Sequence, residues 1–232
     1  MEVETLIKTS LQELQKIGWE NEIKTQESKL IFPTQESKLI FPKYCVGNHK
    51  GKKRISEQEA RFLFVRELEK QDNFYYSVET PTKEPYTDFS SESPVVGTGR
   101  SGCVDVTLYE ITGEKYCRKH LIEFKLGNVD TCKKDFLKLL CDDNECKTNY
   151  YINIIKNNDK TTKKRLENTL KDLETEKYNP AIKYVFDNYE IKSNLKIFVC
   201  ILNDIKITEN NIIEYQIDNE NQRIKEITER IK

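Results

Sequence analysis

Apolar residues in LIKTSLQELQKIGW (residues 6–19) fall at Leu6, Leu11, Leu14 and Ile17, the spacing of one helix face. A second helix is predicted over ISEQEARFLFVRELEKQ (55–71), where Ser56 followed three residues later by Glu59 is a capping-box signal. The period then shortens to two. FYYSVETPT (74–82) is aromatic and β-branched and reads as a strand stopped by Pro81. CVDVTLYE (103–110) alternates, with Val104, Val106 and Leu108 on one face and Asp105 and Thr107 on the other. TGEKYC (112–117) turns the chain into the strand RKHLIEFKLG (118–127), a predicted hairpin. Asp130 or Thr131 opens a helix over CKKDFLKLLCDD, with Phe136, Leu139 and Leu140 on its apolar side. Residues 143–193 are polar and read as a helical insertion, including TTKKRLENTLKDLETEKY and a helix after Pro180. LKIFVCILN (195–203) is a continuous apolar run, as expected of a strand buried on both faces, and NQRIKEITERIK predicts a closing helix.

This order predicts an α/β protein with a central mixed β-sheet flanked by helices. Residues 1–54 divide off as an N-terminal helix, a nine-residue duplication (TQESKLIFP at 25–33 and 34–42) and a basic loop. Residues 55–232 form the α/β domain, with the insertion at about 143–193. The duplication is far shorter than a solenoid unit and predicts no repeat architecture.

Composition narrows the classes. With 232 residues the chain can bury a real core, and 10% aromatic residues argue against global disorder. Lys and Arg total 38 against 39 Asp and Glu, so any basic surface must be local. No stretch approaches the ~20 apolar residues of a membrane span, and Met1 leads into EVETLIK without a signal-peptide core, so no membrane association is expected. Seven cysteines without a CxxC pair read as reduced thiols of a cytoplasmic protein, and the loose cluster Cys132, Cys141 and Cys146 matches no metal-ligand spacing. GTG at 97–99 lacks the rest of a phosphate-binding glycine pattern, so no nucleotide cofactor is expected.

One strand carries chemistry. In LIEFKLGN (121–128), Glu123 and Lys125 point one way while Ile122, Phe124 and Leu126 point the other. Buried charge costs several kcal/mol unless it is paired, hydrogen-bonded or bound to a metal. The pair therefore marks an active site, a structural salt bridge, or an edge strand with one wet face. Glu-x-Lys recurs elsewhere, as at Glu22/Lys24 and Glu145/Lys147, but not in an apolar strand following another with an inward acid. Pairing of the two strands would bring Asp105 and Glu123 together beside Lys125. Two carboxylates and a backbone carbonyl make a hard oxygen site suited to Mg2+. A neighbouring lysine can orient or deprotonate an attacking water.

Asp105 followed by Glu123-Phe124-Lys125 resembles the PD-(D/E)xK nuclease superfamily, the restriction-endonuclease-like fold, whose core runs helix, three-strand meander, helix, strand. The resemblance spans roughly residues 55–142 and 195–232. Val104 stands where the family's nominal proline would be. The resemblance implies Asp105 and Glu123 as metal ligands for Mg2+ (Mn2+ as substitute), Lys125 as the catalytic lysine, and a product with a 5′-phosphate. It also implies a glutamate on the first helix; Glu59 fits best and Glu67 is the runner-up.

The expected partner is DNA. Three basic stretches offer contacts: Lys50, Lys52, Lys53 and Arg54 in one loop; Arg100 and Ser101 before the Asp105 strand; and Lys133 and Lys134 opening the next helix, whose N-terminus favours anions. Cutting both strands of a duplex would be compatible with a homodimer. His49 and His120 are the only histidines, and His120 faces away from Glu123. The alternative function is a non-catalytic module of the same fold that binds nucleic acid or protein, with Asp105, Glu123 and Lys125 serving as a salt-bridged strand pair.

Overall fold

The computed structural model describes residues 2–23, 39–87, 95–127, 133–146, 148–156, 184–185, 187–202, 212–218 and 223–226. Most of the TQESKLIFP duplication and the expected helix at 161–178 lie outside these residues. The helix expected after Pro180 is described only at 184–185 and 187–188, which are helical.

Two helices lead the chain, α1 (Val3–Ile23) and α2 (Glu57–Leu68). Strands β1 (Tyr75–Thr87), β2 (Val95–Val96), β3 (Arg100–Thr112) and β4 (Lys115–Leu126) follow. Helix α3 (Lys133–Cys141) precedes β5 (Thr148–Ile155), β6 (Asn194–Ile201), β7 (Ile212–Asp218) and β8 (Arg223–Glu226). The strands form one sheet in the order β2-β1-β3-β4-β5-β6-β7-β8. It is mixed, since β4, β5 and β6 run parallel while every other neighbouring pair is antiparallel. The α/β class with a mixed sheet is therefore as the sequence predicts.

Helices cover both faces. Leu6, Ile7, Leu11, Leu14 and Ile17 of α1 and Leu63, Phe64 and Leu68 of α2 pack with Val106, Leu108, Ile122, Phe124 and Ile152. The N-terminal helix thus shares the domain's core. On the other face Phe136, Leu137, Leu139 and Leu140 of α3 pack on Leu121, Tyr151, Ile197 and Val199. Fully burying each such side chain contributes ~1.5–3 kcal/mol. At the start of α2, Glu59 accepts the Ser56 N–H at 2.9 Å, the predicted capping box. The β3–β4 hairpin turns at Gly113, whose φ of +65° a side chain would resist.

Four expectations need correction. Strand β1 does not stop at Pro81 but runs to Thr87, with a register shift between Pro81 and Pro85. Its outer neighbour β2 pairs only at Tyr86 and Thr87, so the amide that Pro81 lacks breaks no ladder on that side. The segment after α3 begins not with a helix but with β5, and β5 rather than β6 lies beside β4. Its run NYYINII is aromatic, β-branched and buried, which outweighs the polar character of its surroundings. Residues 223–226, expected in a closing helix, pair with β7 as an edge strand, where the available partner overrides helical periodicity. Finally, Val104 does not share a layer with Val106 and Leu108: it packs on the α3 side, they on the α2 side. Strand β3 turns over between them, at Asp105.

Candidate active site

The pairing of β3 with β4 runs from the hairpin to Val106 opposite Ile122 and ends there. Beyond it the strands fork, and Asp105 fills the fork. Its Oδ2 accepts the backbone N–H of Phe124 at 2.7 Å, replacing the partner that a continued ladder would supply. On the other side of β3, Val78 pairs with Val106 and Thr80 with Val104, which puts Glu79 opposite Asp105. Glu79 has φ +48°, the one left-handed non-glycine residue among the described residues. Such a backbone costs ~1–2 kcal/mol, and strain of this kind clusters at functional sites.

Helix α2 brings Arg61 to the same place. Its guanidinium lies 2.6 Å from a Glu79 carboxylate oxygen and 3.4 Å from Asp105 Oδ1, and it also bonds Gln58. Glu57 in the first turn accepts the Leu126 N–H at 3.4 Å, so the helix start sits over the end of β4.

Glu123 points to the α3 side, where it is 5% exposed. Its partner is Lys138 rather than Lys125: the Lys138 ammonium is bonded to Glu123 Oε1, lies 3.1 Å from Asp135 Oδ1 and donates to the Cys103 carbonyl at 2.8 Å. Lys125, less buried, lies 3.7 Å from the other Asp135 oxygen. The site therefore sets four carboxylates, Glu79, Asp105, Glu123 and Asp135, against three cations, Arg61, Lys125 and Lys138. Burial raises the Glu123 pKa well above the usual carboxylate range; Lys138 opposes the rise, and the Asp105 and Asp135 charges add to it. Burial works against the charge on Lys138, but Glu123 and Asp135 outweigh it and hold the ammonium protonated.

Asn153 completes the floor. It is the β5 partner of Lys125 in a parallel pair, so both side chains lie on one face. It is 0% exposed, and neither its Oδ1 nor its Nδ2 has a hydrogen-bond partner. Each orphaned atom costs ~1–3 kcal/mol, a penalty that a valine or isoleucine in β5 would avoid.

The donors available to a cation are the Asp105 and Glu123 carboxylates and the Cys103 carbonyl. Among the described residues no group of three acidic, histidine or cysteine side chains is arranged to hold a metal. Mg2+ does not need one, because it keeps several waters and takes one or two carboxylates. The all-oxygen donor set fits that ion, with the Lys138 ammonium on Glu123 as its competitor.

The remaining sequence candidates are dispersed. Glu59 is committed to Ser56, bonding both its N–H and its hydroxyl, and does not join Asp105. Burial raises the Glu67 pKa, but bonds from Lys70 and Arg66 more than reverse this, and those partners hold Glu67 apart from the site. Arg100 and Ser101 are exposed within β3, and Arg100 is five residues, roughly 17 Å, from Asp105 along an extended strand. Lys134 is exposed on the first turn of α3. Lys52, Lys53 and Arg54 belong to a small hairpin-like loop in which Lys43 bridges Lys53, and Lys52 and Arg54 are exposed. His120 donates through Nδ1–H to the Thr148 carbonyl, 2.8 Å away, and packs near Phe74 and Tyr150; burial lowers its pKa. The six described cysteines are free thiols.

No family model matches this chain, and comparison with curated proteins and with solved structures gives no match. The site's geometry carries the functional reading alone.

Sequence reasoning missed Lys138, Asp135, Arg61, Glu57 and Asn153. The first two had a visible signal, an Asp and a Lys at i,i+3 in a helix whose other residues from 136 to 141 are all apolar.

Proposed function

We propose that this chain is a Mg2+-dependent nuclease of PD-(D/E)xK type that cleaves DNA. The observation that carries the reading is the fork itself. Asp105 and Glu123 lie on neighbouring strands where pairing stops, with Lys125 two residues on. The topology supports it. An antiparallel β1-β3-β4 run crosses over through α3 to the parallel strands β5 and β6, the arrangement expected of a restriction-endonuclease-like core.

Asp105 and Glu123 would hold the cation, which when bound polarises the phosphodiester and lowers the pKa of an attacking water. Asp105 is pre-positioned by the Phe124 N–H on Oδ2, and its second oxygen, Oδ1, turns to the cation as the long 3.4 Å contact with Arg61 is given up. Glu123 must release Lys138, whose ammonium can remain on Asp135 and the Cys103 carbonyl. Lys125, on leaving Asp135, orients the water. Arg61, beside Asp105, is placed to neutralise a phosphate oxygen, and the exposed Lys134 on the first turn of α3 offers a second contact. The reaction leaves a 5′-phosphate.

A second reading has an observation of its own. The Glu123–Lys138 pair is buried and satisfied, as in a non-catalytic module that only binds nucleic acid or protein. Incubation with supercoiled and single-stranded DNA in Mg2+ or Mn2+, followed by analysis of the ends, separates the two. Cation-dependent scission with 5′-phosphate ends supports the nuclease. DNA retained without scission under any cation supports the module.

A further inference from the structure

We propose that Asn153 is a positioning residue for Lys125: its side-chain amide is the partner the lysine takes when it leaves Asp135. This inference rests on the nuclease reading. Three observations carry it. Asn153 stands opposite Lys125 in the β4–β5 register, on the same face of the sheet. Its amide is fully buried with both polar atoms unpartnered. The other asparagine of that strand face, Asn149, is by contrast fully used. Asn149 Oδ1 accepts the Leu121 N–H at 2.8 Å and the Asn144 amide at 2.7 Å, and its Nδ2 donates to the Leu139 carbonyl at 2.6 Å. One asparagine thus ties the sheet to α3, while the other has no structural task and lies beside the lysine that the chemistry needs.

An amide suits this position. Its oxygen accepts from an ammonium, and its nitrogen donates to an oxygen that the ammonium holds, so lysine and water can be aligned together. It also carries no charge, whereas an aspartate would pin the lysine in a permanent ion pair. In the structure Lys125 leans to Asp135 at 3.7 Å, a separation that marks a loose pair.

The test compares the whole protein with Asn153→Leu, Asn153→Asp and Lys125→Ala. Asn153→Leu is expected to keep or raise the Tm and to keep the Mg2+-induced thermal shift. It should lower kcat at least tenfold with KM within about twofold. Asn153→Asp is expected to lower kcat similarly by pinning the lysine. A readout independent of cleavage is the 1H–15N resonance pair of the Asn153 side chain. With Ca2+ and an uncleaved duplex added, it should shift in the native protein and not in Lys125→Ala. Native kcat in Asn153→Leu, or a resonance indifferent to Lys125, overturns the proposal. A native protein that binds Ca2+ and duplex and shows the Lys125-dependent shift, yet cuts nothing, refutes the nuclease reading while leaving the Asn153–Lys125 contact standing. If Asn153→Leu lowers Tm and loses the Mg2+ shift along with kcat, the amide has a structural role and the proposal fails.

Discussion

Replacing Lys138 by methionine removes one charge of a buried pair while nearly keeping its volume. The side chains of Lys138 and Glu123 are 8% and 7% exposed, so solvent screening is slight. Breaking such a pair from one side costs about 3–5 kcal/mol when the remaining charge stays ionised. Glu123 has an escape, which is to keep its proton. Burial, Asp105 and Asp135 already raise its pKa, and Lys138 is the opposing influence, so the variant's Glu123 titrates higher still. A carboxyl whose folded pKa exceeds its unfolded value binds more protons in the native state. Its contribution is therefore most favourable below the unfolded pKa and is lost as pH rises towards the folded one. Glu123 titrates at about 9 in the native protein and higher in the variant, so the Lys138→Met deficit should be small from about pH 5 to pH 8 and grow above about pH 9 towards about 3–5 kcal/mol. For a domain of this size that limit corresponds to roughly 6–20 °C in Tm. Urea unfolding of both proteins at pH values on either side of that titration, with m-values compared, measures it. A deficit that does not grow on the alkaline side, or a variant more stable than the native protein there, would refute this account of the Glu123–Lys138 pair.

Other predictions follow from single contacts. Lys138→Met should show a larger Mg2+-induced rise in Tm than the native protein, because the ammonium no longer competes for Glu123; an unchanged rise would place the cation elsewhere. Asp142 is fully buried, accepts the Glu84 N–H at 2.9 Å and pairs with Arg118 at 2.7 Å, so Asp142→Ala should lose about 3–5 kcal/mol by urea unfolding. Glu59→Ala should cost about 1 kcal/mol through its cap and leave kcat within a few-fold of native, whereas a kcat loss beyond a hundredfold would return Glu59 to the catalytic set. Under native conditions at pH 8 a thiol reagent should modify exposed Cys45 and spare Cys141 and Cys200. Burial pushes the Cys141 thiol up to about 12 and raises that of Cys200 further, so modification at equal rates would contradict the packing around α3 and α1.

Much of this was legible locally. The period-two run around Asp105, the turn at Gly113 and the apolar strand holding Glu123 and Lys125 each depend on residues two apart, which sequence displays. What escaped it were partnerships set across the fold. Glu123 and Lys125 look like a pair within one strand, but both lean toward α3, where Lys138 lies one turn from Asp135. Asp105 alternates cleanly with its valines, but the fork at Val106 and the backbone of Glu79 turn β3 over. Asn153 sits in a run whose strand character was masked by the charged residues that follow it. Its position beside Lys125 exists only once β5 pairs parallel to β4.

The most direct test of the central claim is cleavage of supercoiled plasmid and single-stranded DNA in Mg2+, comparing the native protein with Asp105→Ala and Lys125→Ala. The account predicts cation-dependent scission by the native protein that falls at least a hundredfold in both variants, with their folded Tm retained. Absence of scission on either substrate, together with no Mg2+-induced change in Tm, would contradict it and leave Asp105, Glu123 and Lys138 as a structural charge cluster.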